Sequence, residues 1–152
     1  AQDLATMQRC LGEAVLRVCA VGKELFIVFG AAALRLHFGM SGGAEFCRLG
    51  AQVRPSRQPV TLRCEFSDGC LTVHGATARV VDDRYVATAE ARRHRDILSP
   101  AFDHPAALAL LRAGGKRHVC DIVMDQAVLP GVGNVIKVEG LFAAGVHPLA
   151  AA

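Results

Sequence analysis

The feature that most constrains the fold of this chain is a change of hydrophobic period near its middle. In the first half, apolar residues form short runs or alternate with polar ones, as at residues 25–29 and 60–66. Both patterns are typical of β-strands. In the second half, apolar residues such as Val119 and Ile122 recur at helical spacing. This order predicts an α+β fold, in which an incomplete antiparallel β-sandwich precedes a helical domain.

Turn residues divide the first half into short strands. A turn that starts with glycine separates residues 25–29 from 34–38, and an Asp-Gly pair separates residues 60–66 from 70–74. Each pair is expected to form a β-hairpin, since Asp-Gly between alternating runs is a strong hairpin signal. One more short strand is expected at residues 78–81.

The second half predicts helices around a glycine-rich turn. Residues 105–113 are expected to form a helix that ends at a Gly-Gly pair, because glycine commonly terminates helices. Two further helices are expected on either side of residues 130–133. The last helix is expected to bury four apolar residues: Val135, Val138, Leu141 and Phe142.

The change of period also sets the predicted domain boundary. Residues 1–86 are assigned to a partial N-terminal β-sandwich domain, and residues 87–152 to a helical domain. Residues 87–103 fit neither period clearly. The arginines within this stretch are expected to be solvated: Arg92, Arg93 and Arg95.

Composition is that of a globular protein, with 52% hydrophobic and 20% charged residues. The longest apolar run is far too short to cross a bilayer, and no secretory leader is visible. Six cysteines are present without any Cys-x-x-Cys pair, so no metal site and no structural zinc are expected from this chain. Scattered thiols without a leader favour an intracellular protein with reduced cysteines. The net charge of +3 permits binding to a polyanion without requiring it.

The most informative segment is the turn Pro130-Gly131-Val132-Gly133-Asn134. Two glycines allow close backbone approach, and the N–H groups of the following helical turn form a natural phosphate site. The side chain of Asn134 is expected either to cap the helix or to contact a phosphate oxygen. An ordinary connection between two helices, with an Asn cap, is the alternative interpretation of these five residues.

Two blocks of sequence around this turn resemble the formamidopyrimidine-glycosylase/endonuclease VIII family of DNA-repair glycosylases. One is DIVMDQAVLPGVGNVIK at residues 121–137, which is similar to the helix–two-turn–helix motif of the family. The other is GKELF at residues 22–26, followed by LRLHFGMSG at residues 34–42. The sequences of both blocks most resemble those of the vertebrate endonuclease VIII-like branch of the family. The resemblance implies that residues 87–152 are the DNA-binding domain of the family, truncated at its C-terminus.

The resemblance implies roles for individual residues. Lys23 matches the β-hairpin lysine that contacts the lesion phosphate and assists catalysis. Met40 matches the residue inserted where a damaged nucleotide flips out, and His37 is expected to contact backbone phosphate. Arg84 is matched only loosely to a later wedge loop, and a solvated loop arginine is the alternative. The remaining expected DNA contacts lie in the turn and the helix after it: Gly131, Gly133, Asn134 and Lys137.

The chain departs from the family at its start. The family nucleophile is the α-amine of an N-terminal Pro or Val followed by Glu, which attacks the sugar and forms a Schiff base. This chain opens Ala1-Gln2-Asp3, so we expect truncation, and no glycosylase activity from the chain alone. The family's structural zinc belongs to a C-terminal finger that is absent here, so no cofactor is expected.

The resemblance implies a bifunctional enzyme of base-excision repair, a DNA glycosylase with abasic-site lyase activity on oxidised bases. We expect a monomer whose partner is damaged DNA, with single-stranded DNA included. It is expected inside the cell, in the nucleus if the source is eukaryotic. Two alternatives stay open. One is a non-catalytic module that binds damaged DNA, and the other is a helix–hairpin–helix glycosylase, which also uses Leu-Pro-Gly-Val-Gly.

Overall fold

The computed structural model describes residues 10–30, 32–51 and 56–152. The chain divides into two compact units, one formed by residues 1–19 and 24–83, the other by residues 20–23 and 84–152. The sequence motif GKELF is therefore divided between the two units. Gly22 and Lys23 belong to the second unit, although they lie early in the chain.

Seven strands in the described ranges form two sheets. Their bounds are β1 (Arg17–Val21), β2 (Glu24–Val28), β3 (Ala33–His37), β4 (Gly43–Arg48), β5 (Val60–Phe66), β6 (Gly69–His74) and β7 (Thr77–Val81). The first sheet has the order β1-β2-β3-β7, and the second has the order β4-β6-β5. The pairings β2–β3 and β5–β6 are antiparallel, so both hairpins predicted from the turn residues are confirmed.

The first unit has its core between the two sheets. Residues 25–29 form the expected buried run, within which Phe26 is fully buried. Leu36 of the first sheet and Val73 of the second are also fully inaccessible, and they belong to one hydrophobic cluster. The expected antiparallel sandwich is therefore confirmed, because each sheet buries one apolar face against the other.

Helices form the second unit after residue 83. They are α1 (Asp83–Glu90), a short 3₁₀ turn (Arg93–Arg95), α2 (His104–Arg112), α3 (Val119–Met124) and α4 (Asn134–Ala143). Asp103 caps α2 by accepting a 2.9 Å hydrogen bond from the Ala106 amide. The domain boundary predicted after residue 86 falls inside α1, whereas the two compact units divide between Asp83 and Arg84.

The prediction for the buried side of the last helix is wrong for three of its four residues. Leu141 is buried, but Val135, Val138 and Phe142 are 68%, 49% and 85% exposed. Helix α4 packs mainly against the short helix α3. A six-residue partner covers only a narrow stripe of α4, and the rest of its apolar surface stays open.

Candidate nucleic-acid interface

The turn between α3 and α4 presents free backbone amides. Helix α4 begins at Asn134, and its N-cap Gly133 is extended, with φ −115° and ψ −175°. Within the described part of the chain, four successive N–H groups at this helix start have no acceptor: those of Gly133, Asn134, Val135 and Ile136. Such groups carry partial positive charge and bind anions, phosphate in particular.

The side chain of Asn134 is exposed and does not cap the helix. Asn134 is the first helical residue, one position after the N-cap, so its side chain is badly placed to accept from the next amides. The expectation that Asn134 caps the helix is therefore wrong. Instead, a side-chain amide stands beside the open backbone N–H groups.

Gln126 holds the turn in shape. Its Nε2 atom donates hydrogen bonds of 2.8 Å to two carbonyl oxygens, those of Met124 and Val132. Its Oε1 atom accepts a 3.1 Å hydrogen bond from the Gly131 amide. The Gln126 side chain therefore connects the end of α3 with Gly131 and Val132. These hydrogen bonds fix the conformation of the turn just before the open amides.

Gly131 is required by both conformation and space. Its φ of +94° lies in the region that favours glycine. Gly22 lies against it, since a Cβ atom placed on Gly22 would be only 2.7 Å from the Gly131 amide nitrogen. Two glycine backbones thus meet at a distance that no side chain would allow.

This contact brings Lys23 to the turn. The side chain of Lys23 is exposed, and its Nζ atom would lie 3.3 Å from a Cβ atom placed on Gly133. A primary ammonium group therefore stands beside the free amides, although Lys23 and Gly133 are 110 positions apart in the sequence. An ammonium and a set of N–H donors together can bind one phosphate group.

Asp96 binds the backbone next to Lys23. The residue is only 7% exposed. Its Oδ2 atom accepts a 2.6 Å hydrogen bond from the Gly22 amide, and Oδ1 accepts one of 3.0 Å from the Leu98 amide. Buried charge is costly unless it is hydrogen-bonded, and here both oxygens are satisfied.

Two more basic residues, Lys137 and Arg95, lie near the turn, and both are half-buried. Lys137 lies one helical turn into α4 and is half-buried, and its amide donates to the Gly133 carbonyl at 2.9 Å. The expectation that Arg95 is solvated is wrong. Its guanidinium donates a 2.6 Å hydrogen bond to the Ala127 carbonyl, because the 3₁₀ turn carries this side chain toward the loop that follows α3.

The first unit contains two of the three predicted residues from the second sequence block, His37 and Met40. Met40 is 97% exposed, at the tip of the loop between β3 and β4. The loop is closed by a 2.9 Å hydrogen bond from the Gly42 amide to the Phe38 carbonyl. His37 ends β3, and its buried Nδ1 atom lacks a hydrogen-bond partner in the described part of the chain.

Arg84 is not in a loop, contrary to the sequence-based expectation. It lies in the first turn of α1, and its carbonyl accepts a 2.8 Å hydrogen bond from Thr88 Oγ1. The helix begins at Asp83, an acidic residue that is favourable in a first turn. The side chain of Arg84 is exposed, and among the described residues no hydrogen bond or ion pair joins it to the turn at Gly133.

The cysteines do not form a metal site in the described residues, where no group of three or more His, Cys, Asp or Glu side chains could hold an ion. The pKa of Cys64 is raised, first by burial and then by the nearby thiols of Cys70 and Cys10. A raised pKa keeps this thiol protonated, which disfavours metal ligation. In the same ranges, no helix has the length and apolarity needed to span a membrane.

Two curated relatives are similar over most of this chain, whereas no family model matches it. Endonuclease 8-like 3 of Xenopus laevis is 33% identical over 153 residues, which is 96% of this chain and 24% of that protein. Formamidopyrimidine-DNA glycosylase of Methylococcus capsulatus is 34% identical over 138 residues, 84% of this chain and 48% of that protein. The chain thus spans a quarter to a half of these relatives.

Solved structures support the same relationship at the level of the fold. The structure of MutM in complex with carbocyclic 8-oxo-G containing DNA superposes with a TM-score of 0.74 at 22% identity. The match covers 95% of this chain and 56% of that one. The two sequence blocks, the sandwich followed by helices and these relatives agree, and the chain belongs to the formamidopyrimidine-glycosylase/endonuclease VIII family.

Proposed function

We propose that this chain supplies the DNA-gripping part of a base-excision-repair glycosylase that acts on oxidised bases. The observation that carries the proposal is the position of Lys23 beside Gly133, where an ammonium group and open amides converge. A sugar–phosphate chain is the ligand that such a set of donors fits best. Asn134 adds a side-chain amide at the same place.

The reaction that we propose for the whole protein is base release followed by strand cleavage through β-elimination. In this mechanism an amine attacks the anomeric carbon of the sugar and forms a Schiff base, which activates the strand for elimination. We assign none of the described residues to this nucleophile. The role of Lys23 is to bind the phosphate at the lesion and to stabilise negative charge there while the sugar reacts.

Met40 is proposed to fill the space that a flipped nucleotide leaves. A methionine that is 97% exposed at a loop tip has no role in the core. Its unbranched, polarisable side chain suits insertion between bases, and an apolar wedge of this kind offsets part of the cost of unstacking. His37, at the strand end before this loop, is proposed as a phosphate contact.

The proposed partner is damaged DNA, with single-stranded DNA among the substrates to be tested and with a monomer as the binding species. Chromosomal DNA places the activity inside the cell, in the nucleus of a eukaryote. The relatives named as DNA glycosylases support this assignment, as does a solved neighbour bound to 8-oxo-G containing DNA.

The test is the affinity of the chain for a short duplex that contains a tetrahydrofuran abasic-site analogue, measured by fluorescence anisotropy. Lys23→Ala and Asn134→Ala should each weaken binding by about five- to ten-fold, as expected for losing a charge-assisted contact of about 1–1.4 kcal/mol. Lys116→Ala is the matched control, since Lys116 is an exposed lysine in the loop between α2 and α3. Equal losses in Lys23→Ala and Lys116→Ala would show nonspecific charge attraction and would contradict the proposal, as would unchanged affinity in Asn134→Ala.

Catalysis by the chain alone is tested separately. Borohydride reduces a Schiff base to a stable amine, so it traps the enzyme–sugar adduct on abasic DNA. We expect no trapped complex from this chain and a trapped complex from a longer protein that begins with the family's Pro-Glu or Val-Glu. Trapping by the chain alone would show that one of its own amines is the nucleophile.

A further inference from the structure

We infer that Asp96 is a positioning residue that sets the place of Lys23 over the turn. The inference rests on the proposed function, because Lys23 matters only if the turn binds DNA. The carboxylate of Asp96 is buried and accepts the Gly22 amide at 2.6 Å, a short hydrogen bond to a charged acceptor. Gly22 is the residue directly before Lys23, so this bond fixes the backbone from which the ammonium side chain projects.

The second oxygen of Asp96 fixes the carboxylate itself. It accepts the Leu98 amide at 3.0 Å, and it would lie 3.6 Å from a Cβ atom placed on Gly131. The carboxylate therefore lies between Gly22 and the turn that joins α3 to α4. Each of its oxygens has one backbone donor, so rotation of the group would break both bonds.

The sign of the charge argues against a direct role in holding DNA. A carboxylate close to a phosphate site repels the phosphate, and it lowers the affinity unless it provides something else. Burial adds to this cost, because an ionised carboxylate is desolvated on folding. The hydrogen bond from the Gly22 amide offsets this cost, because it fixes the backbone next to Lys23. Asp96 thus acts through Lys23 and contacts no DNA itself.

The alternative is a purely structural role, in which Asp96 only stabilises the second unit. The two roles differ in what happens when Lys23 is already gone. If Asp96 positions Lys23, then its loss weakens DNA binding only while the lysine is present. If Asp96 is purely structural, its loss weakens binding to the same degree with or without the lysine.

The experiment is a double-mutant cycle with the whole 152-residue chain. Affinity for the tetrahydrofuran duplex is measured for the parent chain, Asp96→Asn, Lys23→Ala and the double variant. Asparagine has nearly the same shape but only one acceptor oxygen, so it faces at least one of the two amides with a donor. Asp103→Asn is the control, since it removes one exposed carboxylate from the same unit.

We expect Asp96→Asn to weaken binding by about five-fold in the parent chain and by less than about two-fold in the Lys23→Ala chain. Coulomb's law alone predicts the opposite sign, because removing a negative charge should strengthen binding to DNA, and Asp103→Asn should show this small gain or no change. Tighter binding by Asp96→Asn, or equal losses in both backgrounds, would overturn the inference.

A measurement without an Asp96 variant covers the case in which that variant does not fold. Scalar coupling across a hydrogen bond, from the Gly22 amide nitrogen to the Asp96 carboxyl carbon, is observed by NMR only when the bond is formed. Detection supports the inference, and its absence in the folded chain overturns it. If the coupling is seen but Lys23→Ala leaves DNA affinity unchanged, then the hydrogen bond is formed and the proposed function is wrong.

Discussion

The ammonium group of Lys23 occupies the space that a side chain on Gly133 would enter, 3.3 Å from the position of its Cβ atom. Gly133 has a φ of −115°, a value open to any residue. The requirement for glycine here is therefore one of space. In Gly131, by contrast, the φ of +94° itself favours glycine.

This difference predicts distinct effects of two alanine substitutions. Gly133→Ala should cost less than about 1 kcal/mol of stability, because the flexible end of Lys23 can move by a few tenths of an ångström. It should still weaken DNA binding several-fold, since the methyl group covers the amides. Gly131→Ala should lower both stability and affinity, because the left-handed conformation costs about 1 kcal/mol or more for alanine. Thermal unfolding and anisotropy titrations check both. Loss of stability in Gly133→Ala equal to that in Gly131→Ala would contradict this account.

Substitutions of Met40 and Asn134 should affect binding to damaged and undamaged DNA differently. Met40→Ala should weaken binding to abasic-site DNA by several-fold and leave affinity for an undamaged duplex unchanged, because only the lesion offers a space to fill. Asn134→Ala should weaken both, because every duplex has the same backbone. Paired titrations with the two duplexes measure the ratio. The same ratio of damaged to undamaged affinity in both variants would count against the division of roles.

Gln126 should be sensitive to a nearly isosteric change. Gln126→Glu removes the two donors to Met124 and Val132 and places a carboxylate oxygen against their carbonyls. The expected destabilisation is about 1–3 kcal/mol, the cost of leaving polar groups unpaired. Gln58→Glu in the first unit is the control for charge alone. Urea unfolding gives the comparison, and similar midpoints for the two variants would mean that Gln126 does not hold the turn.

Gly114 should be replaceable only together with a change in Ile122. A Cβ atom on Gly114 would overlap the Cδ1 atom of Ile122, which is fully buried. Gly114→Ala should therefore destabilise the chain by about 1–3 kcal/mol through overpacking. Ile122→Val removes that methyl group, so the double variant should be more stable than Gly114→Ala alone. Additive losses in the double variant would show that the two residues are not in conflict.

Local patterns were sufficient to predict the two hairpins, strand β7 and the turn at residues 130–134, whereas β1 and β4 were not predicted. Alternation, Asp-Gly and Pro-Gly signals act over a few residues, so they can be recognised in one sequence. The hydrogen bond from Gly22 to Asp96 joins residues 74 positions apart. No local pattern marks such a partner, and Asp96 lies in a stretch that fits neither period clearly.

Gln126 was also missed as a functional residue, although it lies within the motif. Its role depends on the path of the chain around Gly131, and composition or spacing does not encode that path. The exposed face of α4 was missed for a related reason. Periodicity shows that Val135 and Phe142 share an apolar surface, but it does not show whether another element covers them.

The central claim is that the amides at the start of α4, together with Lys23, bind the sugar–phosphate chain of DNA. The most direct test follows the backbone amide resonances of the chain by NMR while the tetrahydrofuran duplex is added. We expect the largest shifts at Gly133, Asn134 and Val135, and we expect these shifts to shrink in Lys23→Ala. Binding that leaves these three resonances unchanged, with shifts elsewhere, would contradict the claim.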